Sequence, residues 1–233
     1  MRERGDMHCL HEPFMYDYYL NPDRERPTRD MPYFEPEADH LRDFDGIAKK
    51  ILTLAEKQPV FFKDMSYYLT PYLDSGREFF KQIQNTFLIR DPAASIASYY
   101  ALDNAVTLEE IGYEAQWTHT QALTKHAINY RVLQTETIQT DPINEITSWW
   151  ETLGLSNIQE AFQWNDETPD DWKQVATWHA ATLSNTSIRI RQSSDATVEQ
   201  EKYQRALAGA PHLAGYFQHH NNYYLKLKEL AVK

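Results

Sequence analysis

Cysteine is nearly absent: Cys9 is the only one in 233 residues. A lone cysteine excludes an internal disulfide and a cysteine-based zinc site, and it fits a reducing compartment. Glycine is scarce too. Its seven residues are dispersed at positions 5, 46, 76, 112, 154, 209 and 215, so these residues contain no glycine-rich loop. Positive charge is in deficit, with 23 Lys and Arg against 34 Asp and Glu and a formal net charge of −11. A general nucleic-acid binder needs a basic field to neutralise phosphates, so that class is set aside. An anionic ligand can still be held by a few local Arg, Lys and helix N-termini. No apolar run approaches the ~18–20 residues of a membrane span. The opening MRERGDMHCLHEPF has no apolar segment of signal-peptide type. The default expectation is a cytoplasmic protein with no nucleic-acid or membrane partner; a homo-oligomer is compatible with it.

What is present suits a packed domain. Hydrophobic residues make up 42% of the chain and aromatics 13%, enough to bury a full core, so a single domain over residues 1–233 is expected. Residues 1–5 read as the tail of a helix, and His8–His11 as a strand running into a loop at Glu12-Pro13. Residues 16–38, rich in Tyr, Pro, Asp and Arg without steady period, read as a long surface excursion. Helical spacing of Leu41, Phe44, Ile47, Ala48, Ile51, Leu52 and Leu54 predicts a helix to about Lys57. Buried strands are expected at Pro59–Phe62, Thr86–Ile89 and Asn129–Leu133, with a short helix or turn at Ser66–Tyr72. Asp91-Pro92 and Asp141-Pro142 are helix starts, an acidic N-cap before a first-turn proline. A helix from Leu108 to His126 is expected behind a Thr107–Glu110 capping box. Helices near 157–163, 170–183, 198–208 and from 212 complete a helix-rich C-terminal half. Short strands alternating with helices predict an α/β fold with a parallel sheet covered on both faces. Ligands of such sheets lie at the carboxyl ends of the strands, where the polar clusters after Leu10, Phe62 and Ile89 fall.

The sharpest motif is Phe87-Leu-Ile-Arg90-Asp-Pro92-Ala-Ala-Ser-Ile-Ala-Ser98-Tyr-Tyr100. A strand delivers Arg90 at its end, and Pro92 opens a helix whose free N–H groups and dipole favour an anion. Ser98, eight residues after Arg90, stands roughly two helical turns along. Arg90 could give a charge-assisted bond to a phosphate and Ser98 a hydroxyl donor. The plainer alternative is an ordinary strand-to-helix junction with a capping Asp and a surface Arg.

This segment resembles the 3′-phosphate-binding motif of sulfotransferases, in which an Arg and a Ser eight apart hold the 3′-phosphate of 3′-phosphoadenosine-5′-phosphosulfate (PAPS). Other stretches are similar to a bacterial branch of that family, in order along the chain: Arg4-Gly-Asp-Met-His-Cys-Leu-His-Glu-Pro-Phe14, Val60-Phe-Phe-Lys-Asp-Met65, Asp141-Pro142 with Leu153-Gly-Leu155, Trp178-His179 with Ser184-Asn-Thr186, and Pro211-His-Leu through Tyr223-Tyr224. The resemblance implies a P-loop NTPase-like parallel sheet flanked by helices. It also implies transfer of a sulfuryl group from PAPS to a hydroxyl or amine of a small-molecule acceptor, with 3′-phosphoadenosine 5′-phosphate (PAP) as product and no metal. The family's first strand and phosphate loop have no counterpart in these residues and would stand before Met1. Without them, weak affinity for the 5′-phosphosulfate is expected.

Under this resemblance Glu12, just past the second-strand equivalent, is the candidate general base, and Lys63 offsets charge on the leaving phosphate. Arg90, Ser98, Thr186, Ser187 and Arg189 are the candidate cofactor-binding residues, with Arg191 the other nearby cation. The alternatives are a turn-capping Glu12, a Lys63 paired with Asp64, and a solvated loop at 184–191. As strand neighbours, His11 and Glu12 are expected to face opposite ways. Trp178-His179 reads as core packing or a pocket wall, and His219-His220 with Tyr223-Tyr224 as an aromatic helix face. A non-catalytic nucleotide-binding or interaction module derived from the same fold is the second reading. A P-loop kinase is disfavoured, because no Lys-bearing loop or Mg²⁺-holding Asp strand can be pointed to.

Overall fold

In the computed structural model, every residue is described except 26–29, 166, 168, 176, 177, 179–184 and 232–233. His179 and Ser184, and half of the helix expected at 170–183, lie outside the described residues. The chain divides into two compact units. One unit comprises Met1–Tyr72 with Ser156–Ile188, the other Leu73–Leu155 with Arg189–Lys233.

In the first unit, β1 (His8–His11) pairs in parallel with β2 (Val60–Lys63), His8 opposite Val60 and His11 opposite Lys63. Between them run α1 (Met15–Leu20) and α2 (Phe44–Ala55). Helix α2 starts where Asp43 accepts from the Gly46 N–H at 2.8 Å, and it buries Phe44, Ile47, Ala48 and Ile51. These are four of the seven apolar positions whose spacing predicted the helix; Leu41, the first of the seven, precedes it and is exposed. The α1 segment corrects an expectation. It is no surface excursion: Phe14, Met15 and Tyr16 are fully buried, and Tyr18 and Tyr19 nearly so. Aromatic contacts explain the missing period, since this short helix is enclosed on more than one side. Phe14 stacks on Phe44 at 5.2 Å, and Tyr18 meets Tyr67 at 5.3 Å and Tyr68 at 4.9 Å. Asp17, also fully buried, is held by Arg24 at 2.5 Å, Asn21 at 2.8 Å and the Tyr72 hydroxyl at 3.0 Å. A buried charge persists only with such partners. Helix α3 (Ser66–Leu69) follows β2 and buries Tyr67, Tyr68 and Leu69.

In the second unit, α4 (Arg77–Phe80) precedes β3 (Asn85–Ile89), which pairs in parallel with β4 (Tyr130–Gln134) from Asn85 opposite Tyr130 to Ile89 opposite Gln134. Helices α5 (Pro92–Leu102), α6 (Tyr113–Lys125), α7 (Thr135–Thr140) and α8 (Pro142–Thr152) occupy the rest of its first segment. The long helices Asp195–Gly209 and Leu213–Ala231 form the second. Ile96, Val106, Tyr203, Ala206 and Leu213 centre one core cluster, in which small residues of α5 let the Asp195–Gly209 helix approach closely. The Leu213–Ala231 helix packs on α6, where His219 and Tyr223 both bond Glu114, and His220 bonds the Leu108 carbonyl at 2.7 Å.

Parallel pairing is as expected, but the strands form two small two-stranded sheets. Coverage is also less complete than continuous apolar letters suggested. In β3, Asn85, Phe87 and Ile89 are buried, whereas Leu88 is 55% exposed, so that strand has one buried face. The helix expected over Leu108–His126 is broken as well. Glu110 does bond the Thr107 N–H at 2.7 Å and its hydroxyl at 2.9 Å. That capping pair, however, closes only a 3-10 turn at Glu109–Ile111, which ends on Gly112 at φ 86° before α6 begins. Glycine reaches that backbone region without a Cβ clash, and it is there that the chain changes direction.

Candidate functional site

The parallel register of β1 and β2 brings Glu12 and Lys63 together. Glu12 N–H continues the ladder onto the Lys63 carbonyl at 2.7 Å, and the Lys63 ammonium bonds Glu12 Oε1. The Tyr68 hydroxyl donates to Glu12 Oε2 at 3.1 Å, so both carboxylate oxygens are occupied. His11 Nε2 lies 3.6 Å from Oε1. The expectation that His11 and Glu12 face apart therefore fails, for a backbone reason. Glu12 has left the strand at φ 44°, where alternation no longer holds. A non-glycine residue there carries strain of about 1–3 kcal/mol, and such residues cluster at functional sites. Asp64 locks the same turn, its Oδ2 accepting the Phe14 N–H at 3.1 Å.

Exposure divides this cluster. The Glu12 side chain is 8% exposed and that of Lys63 47%, so the ammonium reaches a buried carboxylate from the solvent side. Burial alone would push the Glu12 carboxyl up. The charges of Lys63 and His11 and the bonds from Lys63 and Tyr68 outweigh it and hold the carboxyl below its ordinary range. Asp64 is the opposite case: burial, then the Glu12 charge, push it well above the usual carboxylate range. Its Oδ1 is buried with no hydrogen-bond partner among the described residues. Burial and the Glu12 charge likewise raise the Tyr68 phenol. The two buried carboxyl groups are thus pushed in opposite directions. Lys63 is not paired with Asp64, as the plainer alternative had it, but with Glu12. What the letters did not show of Tyr68 is its bond to Glu12.

The second cluster lies after β3. Arg90 Nη2 donates to Glu199 Oε1 at 2.7 Å, and Arg191 Nη2 to Glu199 Oε2 at 2.7 Å. Arg90 Nε is buried with no hydrogen-bond partner among the described residues. Ser98 is exposed on α5. The start of α5 is filled by the chain itself: Asp91 Oδ1 accepts from Ala93 N–H at 2.9 Å and Ala94 N–H at 3.1 Å, and its carbonyl takes Ser95 N–H at 3.0 Å. Pro92 has no N–H to offer, so the anion at this helix terminus is the Asp91 carboxylate. Asp91 N–H in turn bonds Glu136 Oε1 at 2.8 Å.

The remaining candidates are spread out. Thr186 and Ser187 are exposed in the first unit; Ser187 bridges Gln163, and the Thr186 carbonyl takes Trp164 N–H at 3.0 Å. Arg189 belongs to the second unit and pairs with Asp195 at 2.7 Å. Trp178 Nε1 donates to the Pro32 carbonyl at 2.9 Å.

Comparison with known proteins adds little. No family model matches the chain, and no curated protein matches it. Among solved structures it is similar to a sulfotransferase domain from the curacin biosynthetic pathway, at 12% identity over 70% of this chain and 67% of that one, with a TM-score of 0.48. A likeness that faint carries no argument about activity. Among the described residues, no helix is long and apolar enough to cross a membrane.

Proposed function

We propose that the chain is a sulfotransferase-like protein that moves a sulfuryl group from PAPS to a hydroxyl or amine of a small-molecule acceptor. The observation that carries this reading is the Glu12–Lys63 pair: a buried carboxylate on a strained backbone and a solvent-reaching ammonium at adjoining ends of parallel strands. Glu12 takes the proton of the acceptor, and Lys63 stands ready to balance negative charge on a leaving phosphate. When bound, PAPS supplies an electrophilic sulfur: the acceptor oxygen or nitrogen bonds to it as the S–O bond breaks and its electron pair leaves on the phosphate.

The 3′-phosphate is assigned to Arg90 and Ser98, within the second unit. Fit is supported by the buried, unpartnered Arg90 Nε and the exposed Ser98 hydroxyl. Thr186, Ser187 and Arg189 remain candidate donors.

The test is transfer of radiolabelled sulfate from PAPS to a panel of alcohols, phenols and amines. Turnover that falls on the order of 10²–10⁴-fold in Glu12→Gln supports the assignment. No transfer to any acceptor, or full activity in Glu12→Gln, overturns it. PAP affinity unchanged in Arg90→Ala would remove Arg90 from the site.

One observation favours the second reading, a non-catalytic module. Arg90 and Arg191 share the single carboxylate of Glu199, and Arg189 pairs with Asp195, which leaves these cations engaged within the protein. PAP binding without turnover would select it.

A further inference from the structure

Glu12 is not free to take a proton in the arrangement observed. Oε1 is held by Lys63 and Oε2 by Tyr68. Of these two partners, Tyr68 is 1% exposed and packed among Tyr18, Tyr19 and Tyr67, so it is fixed. Lys63 is half in solvent on a flexible four-carbon stem, with the Met65 sulfur at 3.5 Å as its other contact. Whatever opens the site must act on Lys63.

We propose that Lys63 is an anion-operated latch on Glu12: a sulfate- or phosphate-type oxoanion that takes the Lys63 ammonium from the solvent side releases the Glu12 carboxylate to accept a proton. The inference rests on the reading of Glu12 as proton acceptor. The groups facing Glu12 are Lys63, His11, Tyr68 and Asp64, and Trp172 covers His11 at 5.6 Å without adding charge. Lys63 is the strongest of the influences that together lower the Glu12 carboxyl, and burial is the one that opposes them. Drawing the ammonium toward an incoming anion leaves burial and the neighbouring Asp64 carboxyl to raise the basicity of Glu12. The acceptor O–H or N–H bond then breaks, its electron pair stays on the acceptor, and the proton forms an O–H bond on Glu12. A site latched in this way stays inert until a donor-type anion arrives.

The test is a carbon-13 carboxyl titration of Glu12, assigned by its loss in Glu12→Gln. Inorganic sulfate replaces chloride at constant ionic strength in one arm, and PAP is added in another, so that a simple oxoanion is distinguished from the nucleotide. The latch predicts that at least one of the two raises the Glu12 midpoint by a unit or more. It also predicts that Lys63→Met shows the raised midpoint without any anion and no further response. A midpoint that moves with neither anion in the wild type overturns the proposal, as does an unshifted midpoint in Lys63→Met. The wild-type arms need no variant to fold. The titration needs no turnover: an inactive protein whose Glu12 responds keeps the latch and loses the transfer reading, and an active one whose Glu12 stays still does the reverse.

Discussion

Arg90 and Glu199 are joined at 2.7 Å across 109 residues of sequence, so the cation offered by the Arg-Asp-Pro motif is held by a carboxylate of the Asp195–Gly209 helix. A phosphate at Arg90 meets the negative charge of that carboxylate, which already holds Nη2. Glu199→Gln removes that charge and keeps the side chain's shape. A part-exposed ion pair is worth about 0.2–1 kcal/mol, so PAP affinity is expected to rise about 1.4- to fivefold. Isothermal titration calorimetry checks this, and an affinity unchanged in Glu199→Gln would show that the pair does not guard a phosphate site.

Asp64 should make the fold less stable as pH rises. Its carboxyl is raised in the folded state, so its contribution is full below the unfolded value near 3.9 and is lost as pH climbs toward the folded one. Asp64→Asn keeps an oxygen for the Phe14 N–H and removes the ionisation. The variant is expected to be at least as stable as the wild type at pH 8, with a flatter stability profile between pH 4 and 8. Urea unfolding across that range decides it.

Glu12 runs the other way. Its carboxyl is lowered in the folded state, so its stabilisation is present above the unfolded value near 4.3 and is lost as pH falls through the folded one. Glu12→Gln should therefore flatten the acid limb below about pH 4. Tyr68→Phe removes one bond to a charged oxygen and is expected to cost about 1.5–3 kcal/mol at neutral pH. Chemical denaturation of both variants gives these values, and an acid limb unchanged in Glu12→Gln contradicts the ion pair.

His119 is a buried histidine on α6 with neither ring nitrogen bonded among the described residues, set between Phe80 at 4.9 Å and Phe87 at 5.1 Å. Burial lowers it to about 3. The unfolded chain therefore binds a proton that the folded one refuses, and stability falls as pH drops from about 6.5 toward 3. His119→Leu removes two orphaned polar atoms and is expected to stabilise the fold by about 1–3 kcal/mol, with the larger gain at pH 5. A lower melting temperature for this variant at pH 5 would mean that the imidazole has a partner.

Local signals carried the four strand positions and both Asp-Pro helix starts, because a strand core of a few apolar residues and a capped first turn are settled by neighbours in sequence. The pairing of Glu12 with Lys63 was legible only as two polar residues at strand ends. Alternation even argued against His11 joining them, because a positive φ at Glu12 cannot be read from a glutamate. What tertiary structure decided is which charges neutralise which. Asp91 closes its own helix, Glu199 claims Arg90 and Arg191 from far along the chain, and Tyr68 reaches Glu12 across 56 residues. The sorting of the strands into two small sheets was likewise not in the letters. Strand propensity is local, whereas the partner of each strand depends on contacts distant in sequence.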